Sequence, residues 1–100
     1  MEVTIVYWRD IPAQVIVGKG RRAVKVQLSK RFEKAIDHCA MKVGAIDSDS
    51  YLSEWQKKKE LEVNSSHSEA PRIAESIEKA YDKIRLKNII ANDGWDQKSS

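Results

Sequence analysis

Val3–Val17, VTIVYWRDIPAQVIV, carries two runs of β-branched and aromatic residues, Val3–Trp8 and Ala13–Val17, around the segment Arg9-Asp10-Ile11-Pro12. Runs of this kind flanking a turn signal read as two strands of an antiparallel hairpin. Proline at position 12 forces Ile11 to be extended and presets the first corner of a turn over Ile11–Gln14. The Asp10 carboxylate is placed to accept bonds from turn amides. Along the first strand, Val3, Ile5 and Tyr7 alternate with Thr4, Val6 and Trp8. Both sets are mostly apolar, which suits a central strand or one covered on both sides. Trp8 falls where the strand meets the turn. It either closes the end of the core or stands half-exposed beside Arg9, as interface anchors do.

Working outward, Gly18-Lys19-Gly20-Arg21-Arg22 is a glycine turn with three basic residues. Val24, Val26 and Leu28 then alternate with Lys25 and Gln27, which predicts a third strand and a three-stranded meander. The competing reading starts a helix at Arg21, where Val24 and Val26 would not share a face. Ser29 is placed as the N-cap of a helix over 30–43. Its apolar stripe is Phe32, Ala35, Ile36, Cys39, Ala40 and Val43, and it ends near Gly44. Cys39, on that stripe, reads as a small core residue rather than a nucleophile. His38 reads as a solvated side chain, with no histidine or carboxylate at i+3 or i+4 to support a metal site.

Asp47-Ser48-Asp49-Ser50 opens a short helix, about Asp49 to Gln56. Lys58–Val63 is either an edge strand, with Leu61 and Val63 alternating with Glu60 and Glu62, or an extension of that helix. Asn64–Ser68 reads as a polar loop. Ser68 caps a helix over 69–85 with Pro71 in its first turn, Ile73, Ile77, Ala80, Tyr81 and Ile84 on its apolar face, and Glu75 and Lys79 as an i,i+4 pair. Leu86, Ile89 and Ile90 suggest a further helical turn ending before Gly94, and 95–100 reads as a flexible C-terminal tail. The expectation is one α+β domain over 1–94, with a small, mainly antiparallel sheet and the two main helices packed on one face.

Composition sets the outer bounds. One hundred residues, 41% hydrophobic and 33% charged, make one globular domain with a modest core. The longest apolar run is too short to span a bilayer, so no membrane association is expected. The chain enters a strand at once, without a basic-then-apolar signal segment. A single cysteine excludes an internal disulfide and points to the reducing cytoplasm. The net charge of +3 is uneven: residues 1–45 carry nine Lys/Arg against four Asp/Glu, and residues 46–100 carry nine against eleven. A basic half can steer an anionic partner, or simply attract the other half of its own chain.

Two places stand out as candidate sites. Trp8, Arg9, Asp10 and Gln14 form the first, around the hairpin turn. Arg9 and Asp10 either fix the turn as an ion pair or present a fork and an acceptor to a partner protein. The second is anionic recognition by Lys19, Arg21, Arg22 and Lys25, with Lys30 and Arg31 as further members. Glycine turns expose backbone amides, and arginines fork onto phosphate oxygens. The segment is not a phosphate-binding Walker loop, which ends in a lysine followed by Ser or Thr. It also lacks the aromatics of an RNA-binding signature. A solvated hairpin tip that resists edge aggregation explains the same residues. No carboxylate pair and no Ser/His/Asp set has a spacing that predicts convergence, so no catalytic residue, metal or cofactor is assigned.

Tyr7-Trp8-Arg9-Asp10-Ile11-Pro12-Ala13-Gln14-Val15, then Gly20-Arg21-Arg22, then Val26-Gln27-Leu28-Ser29-Lys30-Arg31-Phe32-Glu33-Lys34-Ala35-Ile36-Asp37, resembles the small bacterial "virulence factor" domain family. The likeness covers nearly the whole chain and is strongest over residues 7–40. It implies a stand-alone domain, or one attached to helical repeats, and no established activity, cofactor or catalytic residue. Stand-alone members of that family tend to be encoded near folate- and corrinoid-dependent one-carbon enzymes, so the resemblance hints at a protein partner of that class. The leading expectation is a non-enzymatic interaction or accessory module. The alternatives are a binder of a phosphorylated small molecule or nucleic acid through 19–25, and a small enzyme or enzyme subunit of one-carbon metabolism.

Overall fold

The two apolar runs do form a hairpin. β1, Glu2–Trp8, and β2, Ile11–Val17, pair antiparallel from Val3↔Val17 to Trp8↔Ile11. The structure, a computed structural model, describes residues 1–45, 47–64 and 66–96. The turn lies earlier than the proline suggests. It consists of Arg9 and Asp10, between the paired Trp8 and Ile11, and not of Ile11–Gln14. Arg9 is left-handed, with φ 54°, as tight hairpin turns demand of their first central residue. Pro12 is a strand residue opposite Tyr7. The third strand reaches along β2 only to Gln14, so the missing N–H of Pro12 faces no ladder bond on that side.

A β-bulge explains why the predicted alternation changes near the turn. The register steps from Val6↔Gln14 to Tyr7↔Pro12, leaving Ala13 as the extra residue. Before the bulge, Val3, Ile5, Val15 and Val17 are buried while Thr4, Val6, Gln14 and Ile16 are half-exposed. Beyond it, Trp8, Ile11, Pro12 and Ala13 are all buried, and the tip of the hairpin is enclosed. Trp8 therefore closes the core, with no exposed surface.

β3, Val24–Gln27, follows a 3-10 turn at Gly20–Arg22, so the strand reading of this segment holds. β4, Trp55–Glu62, completes an antiparallel sheet of order β3-β2-β1-β4. β1 is thus an inner strand, and the edge-strand reading of the 58–63 region is correct. The strand begins at Trp55, because α1, Lys30–Lys42, is followed by a shorter second helix than expected. That helix, α2, runs only Ser48–Ser53, with Asp47 accepting from the Ser50 amide at 3.2 Å.

α3, Ser66–Ala80, and α4, Lys83–Ala91, replace the single helix expected over 69–85. Asp82 makes the break, since its carboxylate caps α4 by accepting from the Arg85 amide at 2.8 Å. α3 begins before Ser68, which lies inside it, as does Pro71. The loop read over Asn64–Ser68 is therefore largely helical, and its Ser65 lies outside the described residues. Ser29 precedes α1 with extended backbone, but its hydroxyl bonds Glu78 on α3 at 2.8 Å instead of capping its own helix.

One core joins these elements. Val3, Ile5, Val15 and Val17 of the sheet meet Phe32, Ala35, Ile36 and Cys39 of α1, Ala70 and Ala74 of α3, and Leu86 and Ile89 of α4. α3 packs on β2 and β3, and α1 on β2 and α4. The α+β expectation holds, with both main helices closing the same core. Each large side chain so buried contributes about 1.5–3 kcal/mol.

Candidate functional site

The tip of the hairpin is a meeting point of segments far apart in sequence. Its two turn amides are held by other parts of the chain: Arg9 N–H donates to the Glu54 carbonyl at 3.1 Å, and Asp10 N–H to the Gly94 carbonyl at 2.8 Å. The Arg9 guanidinium lies 5.3 Å from the ring centres of both Trp8 and Trp95. It donates to the Asp93 carbonyl and, at 3.3 Å, to the Glu54 carboxylate. Only 16% of its side chain is exposed. Gly94 completes the seat. Its φ is +94°, and a Cβ there would fall 2.8 Å from Arg9 Cδ and 3.1 Å from Cys39 Sγ. Burial pushes the Cys39 thiol above its usual range, against the opposing pull of nearby Arg9.

Asp10 faces a different set. It accepts from the Asp96 amide at 2.8 Å, not from turn amides, and lies 3.8 Å from Lys58 Nζ. Asp96 pairs in turn with Arg85 at 2.6 Å, and Arg85 lies 3.9 Å from the centre of the Tyr81 ring. Beside them the Tyr7 hydroxyl donates to Glu60 at 2.8 Å, and Lys58 sits over its ring. Burial first, and then the Glu60 carboxylate, raise the Tyr7 phenol well above its ordinary pKa. The segment read as a tail from residue 95 thus contributes Trp95 and Asp96 to the tip, while 97–100 lie outside the described residues. An open cleft of about 570 Å³ lies behind them along α4, lined by Asp82, Arg85, Asn88 and Asp96 among others.

The four residues read as a partner site are therefore not one surface. Trp8, Arg9 and Asp10 are committed to contacts within the chain, with the Trp8 indole N–H donating to the Tyr51 carbonyl at 3.0 Å. Gln14 stands on the half-exposed face of the sheet, between Val6 and Gln27. Sequence reasoning missed Glu54, Asp93, Gly94, Trp95 and Asp96. The one local signal was Asp93-Gly94, two consecutive residues with positive φ.

The basic turn has the opposite character. Gly18 and Gly20 have φ of +97° and +62°, which glycine adopts freely, and they carry the chain around the exposed Arg21 and Arg22. Among the described residues, Arg21, Arg22 and Lys25 make no ion pair or side-chain hydrogen bond; Lys19 pairs with Glu2 at 3.4 Å while remaining 76% exposed. Arg31 does not join this group. It reaches Glu78 at 3.1 Å and stacks over Phe32. Among the described residues, no group of three or more His, Cys, Asp or Glu could hold a metal ion, and no helix is long and apolar enough to cross a membrane.

In a comparison with protein families, the model of a family described as "Virulence factor" matches residues 6–90 of the chain. No curated protein and no solved structure matches it.

Proposed function

Since the chain belongs to the virulence factor family, whose signature segment here builds the enclosed hairpin tip, we propose that it works as a non-enzymatic interaction or accessory module. Its contact surface in this reading is the basic turn, not the tip. The observation that carries it is the contrast in commitment. Arg9 and Asp10 are spent on holding the fold together, while Arg21, Arg22 and Lys25 stand exposed and make no ion pair or side-chain hydrogen bond among the described residues. Exposed arginines of this kind contribute little to stability and are free to meet carboxylates or phosphates in forked geometry. The partner is a protein with an acidic surface, met in the cytoplasm. A one-carbon metabolic enzyme is the first candidate to test.

The test is capture of such a candidate on the immobilised chain, across a salt series, with wild type beside an R21Q/R22Q variant. Tenfold or greater weakening in the variant, shrinking as salt rises, supports the turn as the contact. Equal capture by both proteins at every salt concentration overturns it. The glycine turn also favours a second reading, binding of a free phosphorylated molecule. In that case the same variant loses affinity for inorganic phosphate or a nucleotide without any protein present.

A further inference from the structure

From the strand pairings we infer that the sheet face opposite the core docks an amphipathic helix of a partner protein, one whose apolar stripe is flanked on both sides by acidic residues. This goes beyond the basic-turn reading: it adds a second contact surface, which shares Lys25 with that turn but not Arg21 or Arg22.

The registers align two complete ranks across all four strands. The first is Lys25–Ile16–Thr4–Lys59, and the second is Gln27–Gln14–Val6–Lys57. Side chains paired this way share one face. That face is not the core face, because Val3, Ile5, Val15 and Val17 occupy the alternate positions and are buried. Its middle columns, Thr4, Val6, Gln14 and Ile16, are half-exposed, and its outer columns carry lysine on both edges. Lys25 and Lys57 make no ion pair among the described residues; Lys59 reaches Glu2 at 3.2 Å and Glu62 at 3.6 Å.

Three strand spacings put the lysine margins roughly 14 Å apart. A helix with its side chains is about 10–12 Å across, so one helix lies between the margins with its apolar stripe over Val6 and Ile16. Glutamates or aspartates on its two flanks then reach Lys25 on one side and Lys57 on the other. At the Gln27 end the face borders a cleft of about 130 Å³ lined by Ala13, Gln27, Ile36, Tyr51 and Trp55 among others. A single-stranded nucleic acid fits less well. Stacking platforms need aromatic rings along the face, and neither rank holds one. Trp55, at the end, is already packed edge-on against Tyr51 with ring centres 6.0 Å apart.

The test uses the isotope-labelled full chain, titrated and followed by amide NMR. The probes are a designed helical peptide with a leucine stripe flanked by glutamates, the same stripe flanked by lysines, and a single-stranded oligonucleotide. The expected result is saturable shifts at Thr4, Val6, Gln14 and Ile16 with the acidic peptide alone, weakened at least tenfold in a K25E/K57E variant and unchanged in R21Q/R22Q. The amide spectrum of each variant confirms that it is folded. No binding of the acidic peptide up to millimolar concentration overturns the proposal, as does equal binding of the basic peptide or preferential binding of the oligonucleotide. Loss of binding in R21Q/R22Q with K25E/K57E unaffected returns the contact to the basic turn. Failure of this face leaves the salt-series test of that turn intact.

Discussion

Asp10 accepts a hydrogen bond from the backbone amide of Asp96, 86 positions away, at 2.8 Å. A residue at the first turn of the chain thereby holds one of the last described residues, and its carboxylate acts as a tie between distant segments. Asp10→Ala removes that acceptor and leaves the Asp96 amide to find water. The expected loss is about 1–2 kcal/mol, between a neutral and a charge-assisted hydrogen bond. Asp10→Asn retains an acceptor and should recover part of it. Urea unfolding of the three proteins measures this, and a loss below about 0.5 kcal/mol would rule out the tie.

Arg9→Ala should destabilise as well. Read from sequence, Arg9 either fixes the turn with Asp10 or presents a fork to a partner. Its position between Trp8 and Trp95, with Glu54 and the Asp93 carbonyl as partners, predicts a loss of about 1–3 kcal/mol. Gly94→Ala tests the same seat from the other side, because its new methyl would meet Arg9 and Cys39 at a positive φ. Thermal melts that leave both variants at the wild-type midpoint would return Arg9 to the list of free contact residues.

Cys39 has no exposed surface, and burial raises its thiol pKa. Both effects suppress the thiolate. A thiol reagent at pH 8 should label it at least a hundredfold more slowly in native protein than in denaturant. Comparable rates in the two conditions would place the thiol outside the core.

The alkaline limb of stability carries the signature of Tyr7. Its folded pKa is raised above the ordinary tyrosine value of 10.0, chiefly by burial and then by Glu60. The unfolded chain therefore releases the phenol proton first. Stability is fully present below pH 10.0 and falls as pH rises above it. Tyr51 and Tyr81 are raised too, so Tyr7→Phe should make the fall shallower without abolishing it. An unchanged slope in that variant would remove Tyr7 as a contributor. At the acid end the sign reverses. Asp47 and Asp93 are lowered by hydrogen bonds from Ser50 and Lys42, so what they contribute is lost as pH falls below the usual carboxylate range.

Local pattern made much of the fold legible. Alternation in Val3–Trp8 and Val24–Leu28 and the stripe through Phe32, Ile36 and Cys39 mark elements that the structure contains, because burial on one side imposes a period on the chain. The errors came from residues with two uses. Pro12 suits a turn corner, but it also suits a strand position that β3 does not reach. Asp82 reads as the polar side of a continuing helix until its carboxylate is seen capping the next one. The tip itself was not legible beyond its signature, since what seats Arg9 is Glu54 and Asp93–Trp95, whose proximity follows from the whole topology and not from any spacing. The basic turn was legible because it is local, and its exposure follows from two glycines among charges.

The dependence of the hairpin tip on residues 93–96 also orders events during synthesis. At about 5–20 residues per second, the ribosome takes roughly 4–17 seconds to proceed from Asp10 to Asp96. Until the end of that interval Arg9 lacks the carbonyl of Asp93 and the ring of Trp95, and Cys39, once made, lacks its neighbour Gly94. The seat of Arg9 and Asp10 is therefore completed only when residues 93–96 have been made.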